Sequence, residues 1–305
     1  MTSTDKKNLL INEIKKYKRV AVAFSGGVDS TFLLKMCIDA LGSSNVLALT
    51  ADCSAFPKRE LDETDRLCAE MGVTHLNIKI NQLRIDGFVK NTPLRCYYCK
   101  RKLMSRLIKA AHQRGFNTVF EGSNADDDND YRPGMRAVKE LGVLSPLKNA
   151  ELTKSEIRRL SKALGLSTYS KPSLACLATR IEYDEEITAQ KLRMTDRAEQ
   201  VLVALTDNAI KYGGSGTLRF STEKKGDCLY ISVSNPGSIA DEDIDHVFER
   251  FYKADKSHAG QGTGLGLSIV NEVLELLGER IWVKSENGTV TFTFTLSTVK
   301  PDNSQ

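Results

Sequence analysis

Two stretches of the chain hold sulfur where sulfur could do chemistry. RCYYCK (95–100) sets Cys96 and Cys99 in a C-x-x-C pair opening a helix, a spacing that suits half of a structural zinc site or a redox couple. KPSLACLATR (171–180) holds Cys176 alone between a proline turn and Arg180. Three thiolates with no matching fourth would leave one iron of a cubane cluster open. Cys96, Cys99 and Cys176 are therefore the candidate metal ligands, and Cys176 is also the candidate nucleophile. Arg180 either lowers the pKa of that thiol or binds phosphate, or it is a surface ion pair. An isolated cysteine is by default a small apolar side chain. Cys37 and Cys68, on helix faces among Leu and Met, are read in that way, and Cys53 and Cys228 are given no role.

The second constellation is SGGVDS (25–30). RVAVAFS reads as a strand that stops at Gly26-Gly27, and VDSTFLLKMCIDAL follows with apolar residues at helical spacing. Glycines let the backbone approach an anion, successive N–H groups form a nest, and the helix offers its positive end. Ser25, Gly26, Gly27, Asp29 and Ser30 are the candidate contacts, with Asp29 also a catalytic candidate. The spacing is not that of a Walker loop. NVLALTAD (45–52), THLNIKI (74–80) and NTVFEG (117–122) repeat the strand signal with helical segments between them. Alternating strands and helices predict an α/β unit, a parallel sheet with helices on both faces, whose ligands bind beyond the carboxyl ends of the strands where strand order reverses.

The totals bound what these sites serve. At 305 residues the chain is long enough for two domains. No apolar run reaches the roughly 18 residues needed to span a bilayer, and MTSTDKKNLL lacks the apolar core of a signal peptide, so the expectation is a cytoplasmic protein without a membrane partner. Seven cysteines, an odd number, argue for thiols or metal ligands over a disulfide framework. Residues 194–305 carry 11 basic and 16 acidic side chains, which leaves 32 and 23 for residues 1–193. That asymmetry suggests two units of different history. The basic excess of the first is scattered, without an Arg/Lys stripe or interleaved aromatics, so nucleic acid is not the expected partner.

SGGVDS resembles the pyrophosphate loop of the N-type ATP pyrophosphatases, which split ATP to AMP and pyrophosphate while adenylating a substrate. EGSNADDDNDYRPGMRAVKELGVLSPL (121–147), LTKSEIRRLSKALGL (152–166) and KPSLACLATRI (171–181) narrow the likeness to the LarE family, the sulfur transferases that make the nickel-pincer nucleotide cofactor. The resemblance implies ATP and Mg²⁺ as cofactors and an anionic nucleotide, of the pyridinium biscarboxylate mononucleotide class, as substrate. Asn124, Asp126 and Asp127 would then hold Mg²⁺ by oxygen near the phosphates. Arg132 and Arg136 would clamp carboxylate or phosphate. Family members with a lone cysteine at the position of Cys176 give up that sulfur, whereas members with three are understood to carry a [4Fe–4S] cluster that delivers a labile sulfide. This sequence resembles the second kind. A homo-oligomer is also implied. A tRNA thiolase, the alternative within the superfamily, shares the loop and the cysteines but not YRPGMRA and SPL.

From about residue 196 the text changes. DRAEQVLVALTDNAIKYGG, VSNPGSIADEDIDHVFERFYKADKSH and GQGTGLGLSIVNEVLELLG resemble the ATP-binding catalytic domain of sensor histidine kinases, an α/β sandwich. That likeness implies Asn208 as the Mg²⁺-holding asparagine with Lys211 in the same box, and Gly262, Gly264 and Gly266 as the glycine box on phosphate. Phe248 and Phe251 match the aromatic box, though their spacing reads first as core packing. The usual adenine-reading aspartate is Asn235 here, a weaker acceptor. The four histidines include none in a phospho-acceptor context. The domains are drawn at 1–195 and 196–305, with both families claiming residues 194–201, as in a gene fusion or an engineered chimera. The LarE tail and the kinase domain's leading strand are missing at the seam. The alternative function is a kinase-like signalling ATPase fragment with the first half as passenger.

Overall fold

The apolar run Val20–Ala23 forms β1, the strand on which the first unit is built. The computed structural model describes residues 1–129, 133–252 and 265–297 and divides the chain into Met1–Leu192 and Arg193–Gln305. In the first unit α1 (Ser3–Ile14) precedes β1, and α2 (Val28–Leu41), β2 (Val46–Asp52), α3 (Lys58–Glu70), β3 (Thr74–Lys79), α4 (Asp86–Val89), α5 (Arg95–His112) and β4 (Val119–Phe120) follow. The unit continues with α6 (Pro133–Glu140), α7 (Pro146–Asn149) and α8 (Lys154–Ala163). The sheet is parallel in the order β3-β2-β1-β4, with Val20 opposite Val46 and Ala21 opposite Val119.

Alternation along the strands serves two cores, as a sheet covered on both faces requires. Val20, Val22, Val46 and Ala48 point to one side, where Phe32, Leu33 and Leu147 are buried, while Ala21, Leu47 and Leu49 point to the other, against Met104 and Leu107 of α5. Cys37 and Cys68 are buried core residues, as expected. After β1 the chain steps outward to β2 and β3, then returns to the other side of β1 as β4. The order therefore reverses between β1 and β4, and the segments leaving those two strands meet at one edge.

Gly122 makes that meeting possible. A Cβ there would lie 3.1 Å from the backbone nitrogen of Ser30 and 3.3 Å from its Cα, both rigid helix atoms. Gly122→Ala should therefore push the post-β4 segment off the α2 N-terminus at a cost of about 1–3 kcal/mol, read as a lowered urea midpoint with unchanged slope. Gly26 turns the other segment, with φ of 66°.

The second unit contains most of α9 (Ala189–Tyr212), then β5 (Arg219–Lys225), β6 (Cys228–Pro236), α10 (Asp241–Ile244), α11 (Gly266–Glu275), β7 (Ile281–Glu286) and β8 (Thr289–Ser297). Its sheet is antiparallel in the order β5-β6-β8-β7. Val233, Phe292 and Phe294 on one face pack with Val201 and Leu205 of α9 and Val270 and Leu274 of α11, an α/β sandwich. The stretch that both families claim is one unbroken helix. Phe248 packs edge-to-face on Phe292 with ring centroids 6.2 Å apart. Phe251 departs from the core expectation, since it is 71% exposed with φ of 66°. Among the described residues no helix is long and apolar enough to cross a membrane.

Candidate functional site

A cleft of about 800 Å³ opens at the sheet edge where β1 and β4 diverge, lined from both segments and from Lys154, Lys171 and Leu174. Gly27 caps α2 with extended dihedrals (φ −78°, ψ 166°) and offers no side-chain acceptor, which leaves the first amides of the helix to a ligand. Ser25 and Ser30 brace the turn. Their hydroxyls are 3.1 Å apart, and Ser30 Oγ–H donates to Gly27 O at 3.2 Å.

Two lysines that carried no role in the sequence flank this nest. Lys154, at the start of α8, forms an ion pair with Asp29. Lys171 Nζ donates to Glu60 Oε2 at 2.7 Å and to Gly26 O at 3.3 Å, fastening the loop to α3. Burial pushes the Asp29 carboxyl above its ordinary value; Lys154 opposes that shift and the Asp127 charge adds to it. Asp29 Oδ1 is buried and has no hydrogen bond of ordinary geometry, with Asn124 nearby. An orphaned carboxylate oxygen beside a second carboxylate, at the mouth of an anion nest, fits a Mg²⁺ ion, which binds through one or two carboxylates plus substrate phosphates. The expected holders are distributed otherwise. Asn124 is buried and accepts Asp126 N–H at 2.9 Å, Asp127 Oδ2 accepts Asn124 N–H at 2.9 Å, and Asp126 Oδ2 accepts Lys154 N–H at 2.8 Å. Asp126 and Asp127 each spend one oxygen on a backbone amide, but it is the Asp127 charge that bears on Asp29, so Asp29 and Asp127 are the better pair.

The thiols gather on one flank. Cys96 and Cys99 lie in the first two turns of α5, and the Cys176 loop joins them because Arg95, buried at 5% exposure, donates to Ala178 O at 2.9 Å and bonds Asn91. Cys176 is open to solvent on one side, yet the protein crowded around its sulfur raises the thiol pKa; the Ala178 amide and Arg95 oppose this and Cys96 adds to it. Arg95 is a cation that acts on Cys176, the part the sequence offered to Arg180, which is exposed and donates to Thr179 Oγ1 at 3.5 Å. Burial pushes Cys99 up to about 12, opposed by Gln82, which donates to its sulfur at 3.0 Å. Cys96, Cys99 and Cys176 are neighbours, but among the described residues no three His, Cys, Asp or Glu side chains converge as a metal-ligand set. As they stand they do not fit the expected [4Fe–4S] cluster.

Arg136 is also elsewhere than expected. It stacks on Tyr97 at 4.0 Å and pairs with Glu140 at 3.1 Å on the surface of α5 and α6, outside the cleft lining. Arg132, Gly262 and Gly264 lie outside the described residues. In the second unit Asn208 and Lys211 stand one turn apart on α9, Gly266 opens α11, and Asn235 is buried at the end of β6, its Nδ2–H donating to Pro236 O at 3.1 Å and its Oδ1 without a hydrogen bond among the described residues. Proximity in space was the missing signal for Lys154, Lys171 and Arg95: an isolated lysine or arginine in a sequence reads as a solvated side chain.

Comparison with known proteins gives two families. The NAD synthase family matches residues 4–106, and the histidine kinase-, DNA gyrase B- and HSP90-like ATPase family matches residues 194–300. An uncharacterized protein of Synechocystis is 39% identical over 193 residues, covering 63% of this chain and 72% of that protein. The pyridinium-3,5-bisthiocarboxylic acid mononucleotide synthase of Lactiplantibacillus plantarum is 36% identical over 204 residues, covering 67% of this chain and 74% of its own. The sensor histidine kinase WalK of Bacillus subtilis is 41% identical over 108 residues, 33% of this chain but only 18% of that protein.

Proposed function

The chain belongs to the LarE family through its first unit, and on that footing we propose that this unit is an ATP-dependent sulfur transferase acting on a carboxylate of a pyridinium biscarboxylate mononucleotide. The amides of the α2 N-terminus and the Ser25 and Ser30 hydroxyls hold the β- and γ-phosphates. Lys154 turns from Asp29 to phosphate, and Asp29 with Asp127 would hold Mg²⁺, which would neutralise phosphate charge. The substrate carboxylate attacks the α-phosphorus, pyrophosphate leaves, and the carbonyl becomes an acyl-adenylate. The Cys176 sulfur, next in sequence to the Leu174–Ala175 stretch that lines the cleft, attacks that carbonyl, its proton passes to solvent, and AMP leaves. In this reading the sulfur given up is Cys176's own: loss of the Cys176 α-proton breaks the Cβ–Sγ bond, the thiocarboxylate leaves with the electron pair on sulfur, and dehydroalanine remains at position 176. A [4Fe–4S] cluster with one open iron would supply sulfide instead, but it would need Cys96, Cys99 and Cys176 to converge from their present positions.

The observation that carries the reading is the half-buried Asp29–Lys154 pair at the mouth of an uncapped helix N-terminus, a charge arrangement that suits Mg²⁺ and polyphosphate together. Ser30→Ala removes a nest donor and should lower AMP-forming turnover roughly 10²-fold with little change in thermal stability. Undiminished AMP and pyrophosphate release by this variant would sink the assignment.

For the second unit we propose a nucleotide-binding module of the histidine kinase type, with Asn208 on Mg²⁺ and the Asn235 amide oxygen facing the base. The unpartnered Asn235 Oδ1 favours that role. Its product would be ADP or a phosphorylated partner, which separates its turnover from that of the first unit.

A further inference from the structure

Cys53, to which the sequence assigned no part, connects the cleft to the thiol flank. It follows the last residue of β2 and lines the cleft together with Leu174 and Ala175, the two residues before Cys176. Gln82, buried at 2% exposure, accepts Ala55 N–H through Oε1 at 2.9 Å and donates from Nε2 to Cys99 Sγ at 3.0 Å. Leu177 N–H donates to Ala55 O at 3.4 Å, and Ala55, Leu177 and Ala178 share a small core against which Cys99 packs. The turn after β2 and the Cys176 loop are thus laced together on either side of Gln82. Cys99 and Cys176 lie close enough to Cys53 for their charges to bear on its thiol.

The two ends of this arrangement differ in chemistry. Cys176 is exposed and follows four exposed residues, Pro172 to Ala175, so a small oxidant reaches it from solvent. Cys99 is fixed on a helix with its sulfur held by Gln82. Cys53 is half-buried in a turn that faces the same cleft as the Cys176 loop. A half-buried thiol in a turn that is hydrogen-bonded to the loop of an exposed thiol suits a resolving cysteine.

We propose that Cys53 is the resolving partner of Cys176 under oxidation by a hydroperoxide. Peroxide oxidises the Cys176 thiol to a sulfenic acid with loss of one water. The Cys53 thiol then attacks that sulfur and a second water leaves, giving a Cys53–Cys176 disulfide. The two electrons taken from the two sulfurs have passed to the peroxide oxygens. The bond ties the outer loop of the cleft to the end of β2 and shields Cys176 from irreversible oxidation. Transient disulfides of this kind are those found in reducing compartments. The inference stands apart from the sulfur-transfer reading, because its readout is a covalent bond.

The test uses the full chain, reduced, held with a chelator so that no metal occupies the thiols, and treated with a small molar excess of hydrogen peroxide. Remaining thiols are alkylated and the protein is digested without reduction for mass spectrometry. The expected result is a Cys53–Cys176 cross-link and a fall from seven free thiols to five. Cys68→Ala, which removes the buried cysteine nearest Cys53 in sequence, should keep the link. Cys53→Ser should lose it and take up several-fold more dimedone at Cys176, because the sulfenic acid then has no partner. Cys176 linked to Cys96 or Cys99 in the unaltered chain, or equal dimedone labelling with and without Cys53, would overturn the proposal.

Discussion

Cys176→Ala is expected to release pyrophosphate from ATP as the unaltered protein does while forming at least about 10³-fold less thiocarboxylate. The split follows from where the residue sits. The anion nest, Asp29 and Lys154 occupy the mouth opened by β1 and β4, and Cys176 stands on the thiol flank, so its sulfur enters only after the adenylate exists. Because Cys176 is exposed, its truncation should shift stability by no more than about 0.5 kcal/mol. Lost product in a folded protein would then report chemistry. Mass spectrometry of the nucleotide product and a pyrophosphate assay read the two halves separately, and equal loss of both would remove Cys176 from the sulfur step.

Lys154→Met is expected to do the reverse and fail at the first step, with AMP and pyrophosphate formation down by roughly 10²–10³-fold. Lys154 is the cation paired with a carboxylate that burial already penalises, and its ammonium group borders the cleft where phosphate would lie. Its loss also leaves Asp29 without a counter-charge, a cost of about 1–3 kcal/mol. Asp29→Asn in the Lys154→Met background should restore much of the lost thermal stability and none of the turnover. Recovery of activity together with stability would make Lys154 a structural residue only.

The difference between what the chain declared and what it concealed has a physical basis. The SGGVDS turn was legible because Gly26 takes a positive φ of 66°, which other residues rarely adopt, so residue type and geometry coincide. The alternating apolar strands were legible for the same reason, since each side chain faces one core or the other. Arg136 was given to an anion because a guanidinium two residues after YRPG can serve a phosphate as well as an aromatic ring, and in the fold it stacks on Tyr97 and pairs with Glu140. Arg95 gave no sign of its role: its burial depends on Asn91 and Ala178, the latter 83 residues away. Cys53 was silent because its neighbours Cys99 and Cys176 approach it only through the fold. In the second unit the likeness to the kinase ATP-binding domain announced the sandwich, whereas Phe251 obeyed helical spacing on paper and turned outward in space.

The most direct measurement follows the oxygen of the substrate. Pyridinium biscarboxylate mononucleotide carrying the heavy oxygen isotope in its carboxylates is incubated with the full chain, ATP and Mg²⁺, and the released nucleotide is weighed. Attack of the carboxylate on the α-phosphorus, then of sulfur on the carbonyl, predicts AMP that bears one heavy oxygen. Unlabelled AMP, or ADP as the sole product, would contradict adenylation at this site.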